Sequence, residues 1–186
     1  MLARDLLSEK IVAGWLLILS GVIFTGGGML YTGRAIWKWP AGQARGYLIW
    51  ERGFVITAVL VATLGLVLLE RLLEAAGDRI LPPLGLTLWL ISATLMTAAE
   101  TFSLSQQAGV YAPIVVSVIL AFVGQAVFGM ALLRTGLLPG WVGWFTIIWN
   151  LAWLIILPVA RPSDMYYPWL HYMAPLLIGI ALLLKR

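Results

Sequence analysis

Apolar residues run along this chain in long unbroken stretches, not in alternation. Six such runs stand out: Ile11 to about Tyr31, about Gly53 to Leu69, Pro83 to Ser103, Ala112 to Leu133, Gly140 to Leu157, and Pro168 to Leu184. Each approaches the roughly 17–25 residues that a helix needs to cross a bilayer. Inside lipid every backbone N–H and C=O must be satisfied by the segment itself or by a closed barrel. Barrel strands alternate apolar and polar positions, and these runs are apolar all round, so they predict helices. The expected fold is all-α: a polytopic transmembrane bundle of about six spanning helices, forming a single domain over residues 1–186.

The punctuation between runs agrees with this reading. Pro113 suits a first helical turn, Pro158 is expected to stop the fifth helix, and tight turns are expected near Pro82 and Pro139. Tyr47–Trp50 and the stretch through Glu74 are candidate extensions of the second helix. Pro175 lies four residues after His171 and cannot donate to its carbonyl, so the sixth helix should bend there. The longest connection, Thr32 to Gly46, holds Trp37-Lys38-Trp39-Pro40, which reads as a segment at headgroup level. Gly14, Gly21 and Gly26-Gly27-Gly28 favour close helix contact. Ile80–Gly85 and Leu137–Gly143 form a faint internal echo, each joining two neighbouring helices.

Composition reinforces the membrane reading. Apolar residues make up 62% of the chain and charged residues 11%, against about 25% charged in soluble domains. The first run is too long for a signal peptide, and no A-x-A cleavage site follows it, so it is expected to be retained. The net charge of +4 suits anionic lipid surfaces. No basic stripe exists for nucleic acid. Arg4, Lys10, Arg71, Arg79, Arg134, Lys185 and Arg186 fall on the side of the termini, and Arg34, Lys38, Arg45, Arg52 and Arg161 on the other. That bias places both termini in the cytoplasm.

Absences narrow the chemistry. The chain has no cysteine and one histidine, which excludes thiolate sites, bis-imidazole haem ligation and an H-E-x-x-H zinc site. No lysine lies at a helix centre for a Schiff base, and there is no P-loop and no G-x-S-x-G. No cofactor is expected, and enzymes of the usual kinds are disfavoured. Among polar residues Glu100 is foremost, because uncharged runs flank it on both sides, and a carboxyl within a membrane helix is a functional candidate. Thr87, Thr94, Thr97, Thr101 and Ser105 share one helix face beside it, and that face is expected to turn inward. Thr97 and Thr101 are therefore candidate ligand or ion contacts, although threonines also bond their own helix backbone. Gly143, Thr146 and Asn150 form a second polar face, with Gln125 a plausible partner across helices. His171, among Tyr166, Tyr167, Trp169 and Tyr172, reads as part of an interfacial aromatic belt. Trp141, Phe145, Trp149 and Trp153 form a stripe that packs or lines a groove for a flat apolar ligand.

The stretch Leu132-Leu133-Arg134-Thr135-Gly136-Leu137-Leu138-Pro139-Gly140-Trp141-Val142-Gly143-Trp144, with the terminal Leu-Leu-Leu-Lys-Arg, resembles small multi-helix bacterial integral membrane proteins of unknown function. The resemblance covers the last third of the chain best. It implies a bacterial inner membrane and carries no catalytic residues. Two readings stand side by side. In the first, the protein is an accessory or structural subunit, or a binder of lipid or another apolar ligand; its partners are membrane lipids, other membrane subunits or a second copy. In the second, it is a small proton- or cation-coupled transporter or channel using Glu100. The surroundings of Glu100 discriminate between them.

Overall fold

Each apolar run becomes a helix, and most helices are longer than the runs that announce them. In the computed structural model α1 spans Leu2–Tyr31, α2 Ala44–Ala75, α3 Leu81–Leu104, α4 Tyr111–Thr135, α5 Gly140–Ala160 and α6 Leu170–Leu184. The structure describes residues 2–40, 44–104, 111–160, 167 and 169–185. The expectations for Ser105, Arg161, Tyr166, Arg186 and a helix start at Pro168 fall outside them. No strand occurs among the described residues. Among the described residues, five helices are long and apolar enough to cross a membrane. The sixth, α6, has 15 residues, roughly 22 Å at helical rise.

Two boundaries differ from the sequence reading, at the start of α1 and the end of α5, and α2 takes up both of its candidate extensions. α1 starts at Leu2, not Ile11; residues 2–10 contain neither Gly nor Pro and are mostly strong helix formers. α2 takes in Tyr47–Trp50. α5 passes through Pro158 and ends at Ala160, where the proline costs only a bond of the last turn. α6 likewise stays helical through Pro175. The amide Nε2 of Gln125, on α4, donates to the His171 carbonyl at 2.9 Å. It takes the place of the N–H that Pro175 lacks.

The turns at the prolines are built as local chemistry requires. Asp78 Oδ1 accepts from the Ile80 and Leu81 amides at 3.0 and 3.1 Å, capping α3. Pro82 and Pro83 then occupy a first turn that needs no donor of theirs. Gly77 and Gly136 take positive φ, +108° and +63°, where the preceding helices end.

Successive helices pack side by side, and α6 returns to α1, so the six close into a ring. Contacts reveal direction: Gly85 meets Gly124 while Ser92 bonds Ser117. One number falls as the other rises, so α3 and α4 are antiparallel. Gly14 against Gly179 and Phe24 stacked on Tyr172 say the same for α1 and α6. Three seams close on glycine pairs. A Cβ at Gly85 would stand 3.0 Å from the Gly124 carbonyl oxygen, one at Gly129 2.9 Å from that of Gly143, and one at Gly179 2.7 Å from that of Gly14. The interior between them is filled by Leu17, Leu66, Leu73, Phe122, Phe128 and Ile178, all buried. Outward faces carry Trp15, Val22, Leu64, Ile148 and Ile155, all largely exposed. Apolar cover of that kind suits acyl chains, not water.

The glycine seams and the Gln125 bond can each be tested. Gly129→Ala should lower the thermal midpoint in detergent, because overpacking costs about 1–3 kcal/mol and exceeds the roughly 1 kcal/mol of helix propensity gained. Gly53→Ala, at an exposed position with open space around it, should not lower it; equal losses in both would refute the close-contact account. Gln125→Leu should cost about 1–3 kcal/mol by stranding the His171 carbonyl. In a Pro175→Ala background, which restores the backbone donor, the cost should shrink.

Candidate functional site

Charge is scarce inside this bundle: of the buried carboxylates among the described residues, Asp78 caps α3 at one end, and the other two converge on the opposite end. Antiparallel packing brings together the end of α1 and the starts of α2 and α6, with the end of α3 close by. Glu51 and Glu100 are 3% and 1% exposed there. A charge held near a helix centre costs about 2.5–3.5 kcal/mol on insertion scales unless it is compensated. The compensation comes from two arginines.

The first arginine is positioned by a π turn. Beyond Tyr31 the chain widens into a single π-helical stretch, Thr32–Ile36, closed by the Trp37 amide donating to the Thr32 carbonyl at 3.0 Å. Lys38 then takes a left-handed φ of +51°, and the Trp39 ring folds back over Gly33. A Cβ on Gly33 would lie 2.5 Å from that ring, so a side chain there would push the Trp39 ring aside. Arg34, on this turn, grips Glu51 with two hydrogen bonds, from Nε and Nη2, at 3.0 and 3.2 Å. The second arginine is Arg52. Its Nη1 donates to Glu100 Oε2 at 2.7 Å, and its Nη2 lies 3.7 Å from Glu51 Oε1. Arg34–Glu51–Arg52–Glu100 thus form one alternating chain of charge that ties the π turn, α2 and α3 together.

Two of these residues face an opening. Glu51 and Arg52 form the polar edge of a cavity of about 310 Å³ between α1, α2 and α6, walled by Phe24, Tyr31, Tyr167 and Trp169. A groove of about 360 Å³ adjoins it along α1 and α6, lined by apolar groups such as Gly21, Met29, Met173 and Leu176. The two hollows share Phe24, Gly28, Thr32 and Trp169. Together they make a crevice with a charged, aromatic end and an apolar length.

The residues singled out in the sequence are distributed differently from expectation. Glu100 is buried and ion-paired, as described. The threonine face turns outward: Thr94 and Thr101 are exposed and Thr97 is half-buried. Their neighbourhood is an open groove between α2 and α3, with Leu60, Thr63 and Leu90. Thr94 and Thr101 donate to the carbonyls of Leu90 and Thr97, one turn back on their own helix. A hydroxyl satisfied in this way costs little next to lipid, so the stripe need not face inward. Gln125 serves the His171 carbonyl and not Glu100. Asn150 is buried but donates to Thr146 of its own helix at 2.7 Å. His171 turns away from the belt into the interior, its ring 4.1 Å from that of Phe122. In the tryptophan stripe Phe145 stacks on Trp149, Trp153 meets Trp149 edge to face, and the Trp149 indole donates to the Leu170 carbonyl at 2.9 Å, bridging the thin α5–α6 seam. The structure therefore joins Gln125 to His171 and leaves Asn150 and the threonines on their own helices.

Sequence reasoning missed Arg34, Glu51 and the crevice aromatics as site residues. Adjacent opposite charges at the mouth of an apolar run, Glu51-Arg52, were the available signal. Among the described residues no three His, Asp or Glu side chains converge as a metal site requires.

No protein-family model, no curated protein and no solved structure matches this chain. Fold and composition define its class: an integral membrane protein built as a bundle of apolar helices.

The buried pair is testable by a double-mutant cycle on Arg52→Gln and Glu100→Gln. Removing one partner of a buried pair costs about 3–5 kcal/mol, because the other charge is left behind. The coupling between the two should exceed about 1 kcal/mol. The more exposed Arg71–Glu9 pair, 3.5 Å apart, should show no more than about 0.5 kcal/mol. Indistinguishable couplings would show that the Arg52–Glu100 contact carries no special weight.

Proposed function

We propose that this integral membrane protein binds an amphipathic, lipid-like molecule in the crevice between α1, α2 and α6. The observation that carries the reading is that the two hollows share a wall: one end offers Glu51, Arg52 and aromatic rings, the other mostly apolar surface. Such an outline matches a molecule with a polar head and a hydrocarbon tail. Sites of this kind are mostly apolar, with a few placed polar groups that fix orientation. The lysine and arginine bias supports cytoplasmic termini, and with the sequence resemblance it supports a bacterial inner membrane. The crevice then opens toward the outer leaflet. An accessory role beside other membrane subunits is compatible with this binding.

The alternative, cation or proton movement through Glu100, draws less support. Its carboxylate is held by Arg52 at 2.7 Å, and the hydroxyls expected to line a path with it point outward. If transport were the function, Glu100→Gln would abolish pH-dependent flux in reconstituted vesicles.

Gly28 provides the direct test. It lines both hollows, and a Cβ there meets nothing within 4 Å, so a larger side chain grows into the crevice without disturbing packing. Protein purified in mild detergent should carry an amphiphile recoverable by solvent extraction and mass spectrometry. Gly28→Phe should lose it while keeping its helical circular dichroism. Equal recovery from the variant would refute the reading.

A further inference from the structure

We propose that the interior of the bundle binds a water molecule, in a small hollow between α2, α3, α4 and α6 where His171 meets the paired serines Ser92 and Ser117. The inference is independent of what the crevice binds.

The hollow measures about 20 Å³, and Ser92, Ser117, His171 and Tyr172 belong to its lining. All four are buried. The two serines clasp each other across the α3–α4 seam. Each hydroxyl donates to the other's backbone carbonyl, at 2.7 and 3.0 Å. Both hydroxyl protons are thereby engaged, and what the two oxygens have left is capacity to accept. The Trp89 indole, also in the lining, gives its N–H to Thr63 at 2.9 Å. The protein's own donors here are therefore largely spent.

His171 supplies the second observation. Its ring lies in the core, 4.1 Å from that of Phe122, and its Nδ1 is buried with no hydrogen-bond partner among the described residues. A buried polar atom left unpaired is costly, and nearly all such atoms find a partner in protein or in ordered water. An imidazole nitrogen either donates or accepts according to tautomer. Water serves either case, and its remaining hydrogens suit the serine oxygens. Size agrees with chemistry. A cavity of about 10–15 Å³ or more takes a water when two to four polar groups reach it. This one has room for about one. It is too small for an organic ligand, and no carboxylate lines it to hold a cation. A water bound there makes His171 the α6 member of a polar knot that already joins α3 to α4.

The test is brief X-ray radiolysis of the whole chain in detergent. Radiolysis turns bound water into hydroxyl radicals in place, and mass spectrometry reads the oxidation of the side chains beside it. Trp89 and Met96 are the reporters, because both are buried and line this hollow but neither part of the crevice. Phe128, fully buried and outside the lining, is the control. After correction for the reactivity of each residue type, Trp89 or Met96 should be oxidised about tenfold faster than Phe128, as a water in contact requires. Ala121→Val adds two methyl groups to the lining. It should bring both reporters down to the level of Phe128 while helical circular dichroism is kept. His171→Phe, which removes the orphaned nitrogen, should do the same and serves if Ala121→Val does not fold. Reporters no faster than Phe128 in the wild type would show a dry hollow and overturn the proposal. Fast oxidation that persists in a folded variant would trace to radicals entering from bulk solvent and would overturn it too.

Discussion

Backbone contact at glycine pairs sets the spacing on which everything else in this bundle depends. Lipid gives no hydrophobic incentive for apolar helices to leave it for one another, so association rests on close packing. Gly85 with Gly124, Gly129 with Gly143 and Gly14 with Gly179 bring three seams to the distance at which a single added methyl would collide with a carbonyl oxygen. α4 takes part in two of these seams and is the most buried spanning helix. Its Gln125 can therefore reach the His171 carbonyl, and its Ser117 can exchange hydrogen bonds with Ser92. Each polar contact works only because the glycines have already fixed the distance between helices.

At the other extreme of packing lies the end of α1. There Gly21 and Gly28 lie beside hollows in place of tight contacts, and the crevice occupies the space. The same residue type closes three seams and opens this one, according to what faces it. The ion-pair chain holds the opening in shape. Arg34 fastens the π turn to α2, and Arg52 fastens α2 to α3, so the polar edge is anchored on three sides.

Much of the fold was legible in the hydropathy pattern, because the bilayer imposes a length and an all-apolar surface on each helix. Helix ends were less legible. Residues 2–10 are too polar to count in the first apolar run, yet their helix propensity continues α1 to Leu2. Pro158 read as a stop, but a late last turn tolerates it; Pro175 read as a bend, and the donor it lacks is supplied by Gln125. For the site, Glu100 was visible as an isolated carboxyl. Its partner was not, since Arg52 lies 48 residues away and only tertiary packing brings them together. Periodicity grouped the threonines on one face correctly and could not say which way that face pointed. Their hydroxyls satisfy themselves on the helix backbone, so the outward choice carries little penalty.

The π turn at Thr32–Ile36 has a consequence for how this chain tolerates length changes. A π turn is an α-helix holding one residue more than its register allows. Removing Thr32 or Gly33 would let the segment relax into ordinary α-helix and rotate the downstream chain by about 100°, one residue's share of a 3.6-residue turn. Arg34 would swing off Glu51, and a carboxylate 3% exposed would be left to share Arg52 with Glu100. In this stretch the number of residues matters as much as their identity: the surplus residue acts as a shim that sets the angle of the first link in the ion-pair chain.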